Sequence, residues 1–257
     1  MTGFLIKKFF YDAWDNFFFI TALNFGFYLF LALSFFLLPV LQTAGVILFF
    51  VLIYLLFVYL CTVSSVLKEV SDYRRPAPAD FFINIKTAFV PAAILFAVAV
   101  FVFMVIHFTI PVYLEMGNQL GLAAAFFSCW ICLFIIASIQ FYPAVYYRLG
   151  RHPIKSLKKC AIIFFDNTVF CLFALLFSII LSILILPFPG CLLLLLDEAL
   201  RLRLLKYDWL DAQAAGQSSE NYKQRSGKIK IPWNEILAEE KENTGNRTLK
   251  SFIFPWK

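Results

Sequence analysis

The sequence predicts an all-α fold: a polytopic membrane helix bundle of about six transmembrane helices with a short cytoplasmic C-terminal tail. The first observation is composition: 62% of the 257 residues are hydrophobic and only 15% are charged. In soluble domains roughly 45–50% of residues are apolar and about 25% are charged. The second is that several apolar runs reach the roughly 20 residues that a helix needs to cross a bilayer. The third is that Lys and Arg are absent from residues 9–67, 87–147 and 160–200, and each gap has room for two crossings.

The apolar runs predict five spans in order along the chain. Their approximate limits are residues 17–41, 45–67, 88–113, 120–147 and 168–187. Short loops without a basic residue, "LQTAG" and "LEMGNQ", join the first span to the second and the third to the fourth. Longer basic loops, "KEVSDYRRPAPADFFINIK" and "RLGRHPIKSLKKC", make two other connections. Because basic residues beside short loops stay on the inner side of the membrane, we expect both basic loops and the N-terminus in the cytoplasm.

Residues 191–206 pose a separate question, because this apolar run carries Asp197, Glu198, Arg201 and Arg203. As a helix it would be slightly shorter than the hydrocarbon core. Each charge at mid-bilayer costs roughly 2.5–3.5 kcal/mol, so the run should not insert as an isolated helix. We predict a sixth, short span packed inside the bundle, which returns the basic tail to the cytoplasm. The alternative is a segment that dips inward without crossing the membrane.

Three charges of this run form a candidate intramembrane polar cluster, namely Asp197, Glu198 and Arg201. At 100° per residue they share most of one helix face. Asp197 and Arg201 also stand in the i, i+4 relation that brings opposite charges together. We therefore predict an ion pair between them that faces the bundle interior. Its role is either structural or that of a polar lining for a solute or proton path.

Asn24, His107 and Gln140 are polar residues inside predicted spans. Such groups usually form hydrogen bonds across helices in a membrane protein, and we expect that role here. For His107 a role in a transport pathway is the alternative.

The sequence contains no recognisable site for catalysis, a cofactor or a metal ion. Glycine-rich phosphate loops, zinc-protease motifs and nucleophile elbows are absent. The two histidines, His107 and His152, fall on opposite sides of the membrane in this topology. Cys129 and Cys132 have the spacing of a redox motif, but they lie deep in a span and are interpreted as packing residues. The basic loops flank spans and lack a stacking platform, so no nucleic-acid partner is expected.

The predicted bundle occupies residues 1–209, and the cytoplasmic tail occupies residues 210–257. The tail begins with a polar linker and continues with "IPWNEILAEEKEN", which predicts a short helix with Pro232 near its start. The chain ends in the aromatic and basic segment "LKSFIFPWK". This terminus is too short to span, and we expect it to bind the membrane surface or the cytoplasmic loops.

Several short motifs resemble those of the YesL-type family of bacterial integral membrane proteins. They are "DNFFFITALNFGFYLFLALSFFLLPVLQTAGV", "DFF" at residues 80–82, "QFYP" at residues 140–143 and "SLKKC" at residues 156–160. The resemblance covers roughly residues 12–210 and implies the bacterial cytoplasmic membrane as location. Because family members often occur beside genes for sugar uptake, it also implies an accessory role in carbohydrate transport. It supplies no catalytic residues.

Three classes of function follow from these observations. We favour an accessory or scaffolding protein of a membrane transport system, with the lipid bilayer and transport subunits as partners. The alternatives are a small transporter or channel in its own right and, third, a membrane-embedded enzyme acting on lipid. Enzymatic activity is not expected, because only the Asp197 cluster gathers ionisable groups. The sequence leaves the oligomeric state open.

Overall fold

The computed structural model describes residues 2–40, 45–184, 188–215 and 231–245. This part of the chain is helical and contains no strand, so the predicted all-α bundle is confirmed. A π-helical segment, Val105–Thr109, joins α4 to α5. The α-helices are α1 Thr2–Asp15, α2 Phe17–Val40, α3 Gly45–Ser71, α4 Pro78–Met104, α5 Ile110–Glu115, α6 Gln119–Ile139, α7 Tyr142–Arg148, α8 Pro153–Asp166, α9 Thr168–Leu184, α10 Pro189–Ala215, α11 Trp233–Ile236 and α12 Ala238–Thr244.

Four helical segments among the described residues are long and apolar enough to cross a membrane. A fifth arises if α8 and α9, which meet at a bend of 103°, count as one broken span. The protein is therefore a multi-pass membrane protein with fewer clear spans than the six predicted. The four segments are Phe17–Leu37, Ile47–Ser71, Pro78–Glu115 and Gln119–Arg148.

The protein core lies toward one end of this bundle. The second half of α3, from Val58 to Ser71, is buried along most of its length, whereas residues 47–57 are mostly half-buried or exposed. Large apolar side chains such as Phe18, Phe35 and Leu120 are exposed, as expected for helices whose solvent is lipid. Packing between helices is thus concentrated where α3 ends.

Helix α10 contains the predicted sixth span, but it does not begin at the far end of the bundle. The Gly190 backbone N–H donates to Asn24 Oδ1 at 2.9 Å, and the Phe188 ring packs edge-on against Tyr28. Asn24 and Tyr28 belong to the middle of α2. Helix α10 therefore begins beside α2 and not beyond its far end. These contacts, and the absence of α10 from the described helices that could span, favour the alternative of a segment that enters without crossing.

The described part of the tail returns to the N-terminal helix. Residues 231–245 form α11 and α12, where the sequence predicts one short helix. Leu237, between them, is buried, and Lys7 Nζ donates to the Gly245 carbonyl at 3.2 Å. Helix α1 and this part of the tail therefore lie at the same end of the bundle. The predicted linker, residues 212–228, begins as the last turn of α10 up to Ala215. The rest of the linker and the aromatic terminus after residue 245 fall outside the described residues.

Candidate functional site: a buried ion-pair network

Seven charged side chains meet at the end of the bundle where α3 and α7 end. We call them the ion-pair network. They come from five segments: α1, the turn after α3, α7, α10 and α12. The members are Lys8, Asp12, Asp72, Arg148, Asp197, Arg201 and Glu240.

Arg148, the last residue of α7, is central to the network. Its Nε and Nη2 donate to the two carboxylate oxygens of Asp197, at 2.9 Å and 2.5 Å, in a bidentate pair. Its Nη1 donates to Asp72 Oδ1 at 2.9 Å, and Nη2 also reaches Ser71 Oγ at 3.0 Å. The Asp197 side chain is 0% exposed and that of Arg148 9%. Such a paired, fully bonded geometry compensates the cost of removing both charges from water.

Arg201 does not pair with Asp197 as the sequence predicts. Its guanidinium donates to Asp72 Oδ1 and, at 2.7 Å, to the Ser71 carbonyl. Its Nε also donates to Glu240 Oε1 at 2.9 Å. The predicted i, i+4 pair fails because Arg148, from another helix, already occupies both oxygens of Asp197. Asp72 is consequently shared between two guanidinium groups.

Lys8 extends the network to α1. Its ammonium is completely buried and donates to Asp12 Oδ2 at 2.5 Å and to the Ser71 carbonyl at 3.1 Å. It also lies 3.7 Å from the centre of the Tyr73 ring, a cation–π contact. These three interactions account for the three N–H bonds of the ammonium.

Tyr73 connects the network to the tail from an unusual backbone conformation. Its φ is 57°, in the left-handed region that residues other than glycine rarely adopt. The phenol donates to Glu240 Oε2 at 2.8 Å and lies 3.1 Å from the Thr244 hydroxyl. Burial raises the pKa of Tyr73 above its ordinary value, so the hydroxyl stays neutral. Surrounding contacts of this kind are what hold a strained backbone in place.

Glu198 lies beside the network without an ion pair of its own. The side chain is 0% exposed, and neither carboxyl oxygen has a hydrogen-bond partner in the described structure. It is close enough to Asp12 for the two carboxyl groups to interact. Burial raises the pKa of Asp12, and the Lys8 ammonium opposes that shift. Because an unpaired buried carboxylate is very costly, we infer that Glu198 is held as the neutral acid beside Asp12.

Asn24 and Gln140 both make contacts between helices. Asn24 is buried and accepts the Gly190 N–H described above. Gln140 occupies the break between α6 and α7, where its Nε2 donates to the carbonyls of Ala137 and Cys171 at 2.8 Å and 3.0 Å. These two amides therefore position α9 and α10 against the other helices.

His107 lies in the π-helical segment, away from the ion-pair network. Its ring packs against Phe103 with centroids 4.3 Å apart, and the side chain is exposed. In the described structure it forms no hydrogen bond to another helix, unlike the sequence expectation. A π-helical turn is often found at a functional position, but among the described residues His107 forms no ion pair or hydrogen bond that would indicate a site.

The described residues give no sign of a metal or disulfide site. No group of three or more His, Cys, Asp or Glu in this part of the chain is placed to hold a metal ion. All six cysteines are free thiols. Cys132 is buried as packing predicts, whereas Cys129 faces outward.

Sequence reasoning found Asp197, Glu198 and Arg201 but missed their partners. Lys8 and Arg148 look like ordinary positive-inside residues, because each borders a long run without Lys or Arg. Asp72 resembles a solvated loop residue, and Glu240 lies in a stretch rich in charge. The sequence contains one indication that partners exist: acidic residues lie beside helix ends on the same side of the membrane as the basic loops. That signal does not say which acid meets which base.

The resemblance to the YesL-type family gains no independent support from other proteins. Comparisons of the chain with models of protein families, with curated proteins and with solved structures find no match. The family assignment therefore stays a prediction from the motifs quoted above.

Proposed function

We propose that the protein is an accessory or scaffolding component of a membrane transport system, with its working surface at the end that carries the ion-pair network. The observation that supports this proposal most is that the charged groups of the network form ion pairs with one another. Arg148 and Arg201 together bond Asp72, Asp197 and Glu240. A solute path would need polar groups free to bind cargo, whereas these groups fix five segments in one arrangement.

The same end of the bundle also carries exposed basic side chains. Lys155 and Lys158 on α8, and Arg74 and Arg75 after α3, are exposed. Buried basic residues of the network are neutralised internally, so the exposed ones supply the charge that a partner or an anionic membrane surface would meet. Cytoplasmic placement of this surface in a bacterial membrane follows from the positive-inside rule, and carbohydrate as the transported material follows from the family resemblance.

Affinity purification from native membranes in mild detergent tests this proposal. We expect transport subunits to copurify with the full chain. The double variant Lys155→Glu/Lys158→Glu should lower their yield because it reverses exposed charge without touching the network. The matched control Glu239→Gln, exposed on α12, should leave the yield unchanged. Recovery of no membrane protein above the level of an untagged control would contradict the proposal.

A transporter is the second candidate, and Glu198 is the observation that favours it. A buried ionisable group without an ion pair often marks a functional site, and the inferred proton between Glu198 and Asp12 could be exchanged. Flux measured in proteoliposomes that contain only this protein would support the transporter and argue against a purely accessory role. Loss of that flux in Glu198→Gln would assign it to this carboxyl.

A further inference from the structure

A polar cavity separate from the ion-pair network lies between α3, α4 and α7. Its volume is about 360 Å³. Lys68 and Glu69 enter it from α3, Asp80 and Asn84 from α4, and Tyr147 and Arg151 from the end of α7 and the turn that follows. This volume has room for a small polar ligand or a lipid headgroup.

The charges of the cavity select a class of ligand. Two cationic side chains, Lys68 and Arg151, face two carboxylates, Glu69 and Asp80. A simple anion would be repelled by the carboxylates, and a simple cation would be repelled by the basic groups. A zwitterion satisfies both pairs at once.

Most of these charged groups keep unused bonding capacity. Lys68 Nζ donates only to the Tyr147 carbonyl, at 3.3 Å, among the described contacts. Glu69 meets the exposed Arg74 at 3.5 Å. Asp80 Oδ2 accepts the Ala77 backbone N–H at 3.1 Å, which closes the start of α4. In the described structure Arg151 forms no ion pair and its side chain is exposed.

Tyr147 positions Lys68 at the wall of the cavity. Its carbonyl accepts from Lys68 Nζ at 3.3 Å. Its hydroxyl is buried away from the cavity and lies beside the Thr87 hydroxyl, which donates to the Asn84 carbonyl at 2.8 Å. A ligand in the cavity would therefore meet Lys68 and Arg151 as its donors, and not the tyrosine hydroxyl.

We propose that this cavity binds a phosphate–ammonium zwitterion, with the phosphate oxygens on Lys68 and Arg151 and the ammonium on Glu69 and Asp80. Phosphate suits this donor set because a guanidinium fork and an ammonium can bond several of its oxygens. The ligand is either the headgroup of phosphatidylethanolamine or a free molecule of the same chemistry. Phe82 and Ile83, exposed on the first turns of α4 beside the cavity, would contact acyl chains if the ligand is a lipid. The inference does not depend on the proposed scaffolding function.

The experiment reconstitutes the full chain in nanodiscs with equal amounts of phosphatidylethanolamine, phosphatidylcholine and phosphatidylglycerol. Native mass spectrometry then measures which lipid stays bound. We expect phosphatidylethanolamine to be enriched about fivefold or more over phosphatidylcholine, whose ammonium has no N–H to donate. Arg151→Gln and Glu69→Gln should each lower that enrichment several-fold, because each removes one half of the site. Arg75→Gln and Glu239→Gln, exposed and outside the cavity, are the matched controls.

A second measurement separates the two sources of ligand. Glycerophosphoethanolamine is added to the detergent-purified protein, and the thermal unfolding temperature is recorded. A rise that Arg151→Gln and Glu69→Gln abolish, without lipid enrichment in the nanodiscs, assigns the site to a free zwitterion. The proposal is overturned if neither ligand shows selectivity, or if the two cavity variants behave like the two controls.

Discussion

At the residue scale, the pair formed by Arg148 and Asp197 is the most consequential contact of the network. Asp197→Asn would leave part of a buried guanidinium without its carboxylate, and loss of one partner of a buried pair costs about 3–5 kcal/mol. We expect a clear drop in the thermal unfolding temperature of the purified protein. Asp211→Asn, an exposed change on the same helix, is the control and should have no measurable effect.

Double variants test which arginine is the true partner. Asp197→Leu with Arg148→Met removes both members of the observed pair and leaves Asp72 bonded to Arg201, so stability should recover in part. Asp197→Leu with Arg201→Leu should be less stable than either single variant, because Asp72 and Glu240 also lose their ion pairs with Arg201. If the Asp197→Leu/Arg201→Leu variant is instead the more stable of the two, the result would support the i, i+4 pair that the sequence predicts.

The carboxyl groups of Asp12 and Glu198 predict a distinctive dependence on pH. Because burial raises the pKa of both carboxyl groups in the folded state, the folded protein holds the proton of the Glu198–Asp12 pair more tightly than the unfolded chain. The stabilisation that this proton contributes is therefore complete below the ordinary carboxyl pKa, near 4. It decreases as the pH rises toward the raised pKa of the folded state. The slope is at most about 1.4 kcal/mol per pH unit for one proton.

Glu198→Gln isolates this effect, since it removes one acid of the pair and keeps its shape. Unfolding temperatures are compared between pH 5 and pH 8. We expect the parent protein to lose stability across this range and the variant to lose less. Glu239→Gln, on the exposed face of α12, should follow the parent. Equal slopes for the parent and Glu198→Gln would show that the carboxyl pair does not hold the inferred proton.

The residue scale also shows what a sequence can and cannot predict about this site. Asp197, Glu198 and Arg201 were identifiable because charge inside an apolar run is costly and demands a partner. The partners were not, because a sequence displays only neighbours on one helix. Arg148 and Asp72 are 49 and 125 residues from Asp197, and only the folded bundle brings the three together.

At the element scale, the spans were predictable and the two interfacial segments were not. Long apolar runs in α2, α3, α4 and α6 identify themselves by length alone. Helix α8 instead contains both lysines and apolar residues, so its length and composition do not identify it as a span. Its bend of 103° against α9 could not be predicted from the sequence. Residues 191–206 were predicted to form a sixth span because the sequence does not show that Gly190 packs against Asn24.

The position of α10 gives a prediction for accessibility. In a variant without native cysteines, a thiol at Asn118, in the short loop between α5 and α6, should react with a membrane-impermeant maleimide from the outside. A thiol at Phe188 should not, because that residue lies beside the middle of α2. Rapid outside labelling at both positions would return α10 to the role of a sixth span.

Docking of the tail gives another prediction at this scale. Tyr73→Phe removes the phenol that bonds Glu240 and contacts Thr244, at a cost of about 1–3 kcal/mol since an ionised partner is involved. Hydrogen exchange of residues 233–244 should then become faster, while exchange in α3 stays slow. Tyr207→Phe is the control. It loses the hydrogen bond that Asn167 donates to the Tyr207 hydroxyl at 2.7 Å, and this bond does not involve α12. Unchanged protection in Tyr73→Phe would mean that Tyr73 does not hold the tail.

At the scale of the whole molecule, both described ends of the chain meet at one face. Lys8 of α1, Arg201 of α10 and Glu240 of α12 belong to the same network, so the N-terminal helix and the tail occupy the same side of the membrane. This arrangement needs an even number of crossings, which four spans followed by a segment that enters and returns provide. The positive-inside rule predicts that this end, which carries the basic loops, faces the cytoplasm.

Reporter fusions test this topology directly. A reporter that is active only outside the cytoplasm should be inactive after Lys257 and active after Asn118, because Asn118 lies at the opposite end of the α3–α6 bundle from the network. A cytoplasmic reporter should give the reverse pattern at both sites. Fusion after Ala77, in the basic loop between α3 and α4, is the internal reference and should match Lys257. Outside activity after Lys257 would require an odd number of crossings between α1 and the tail, which contradicts the contacts that join Lys8, Arg201 and Glu240 at one end of the bundle.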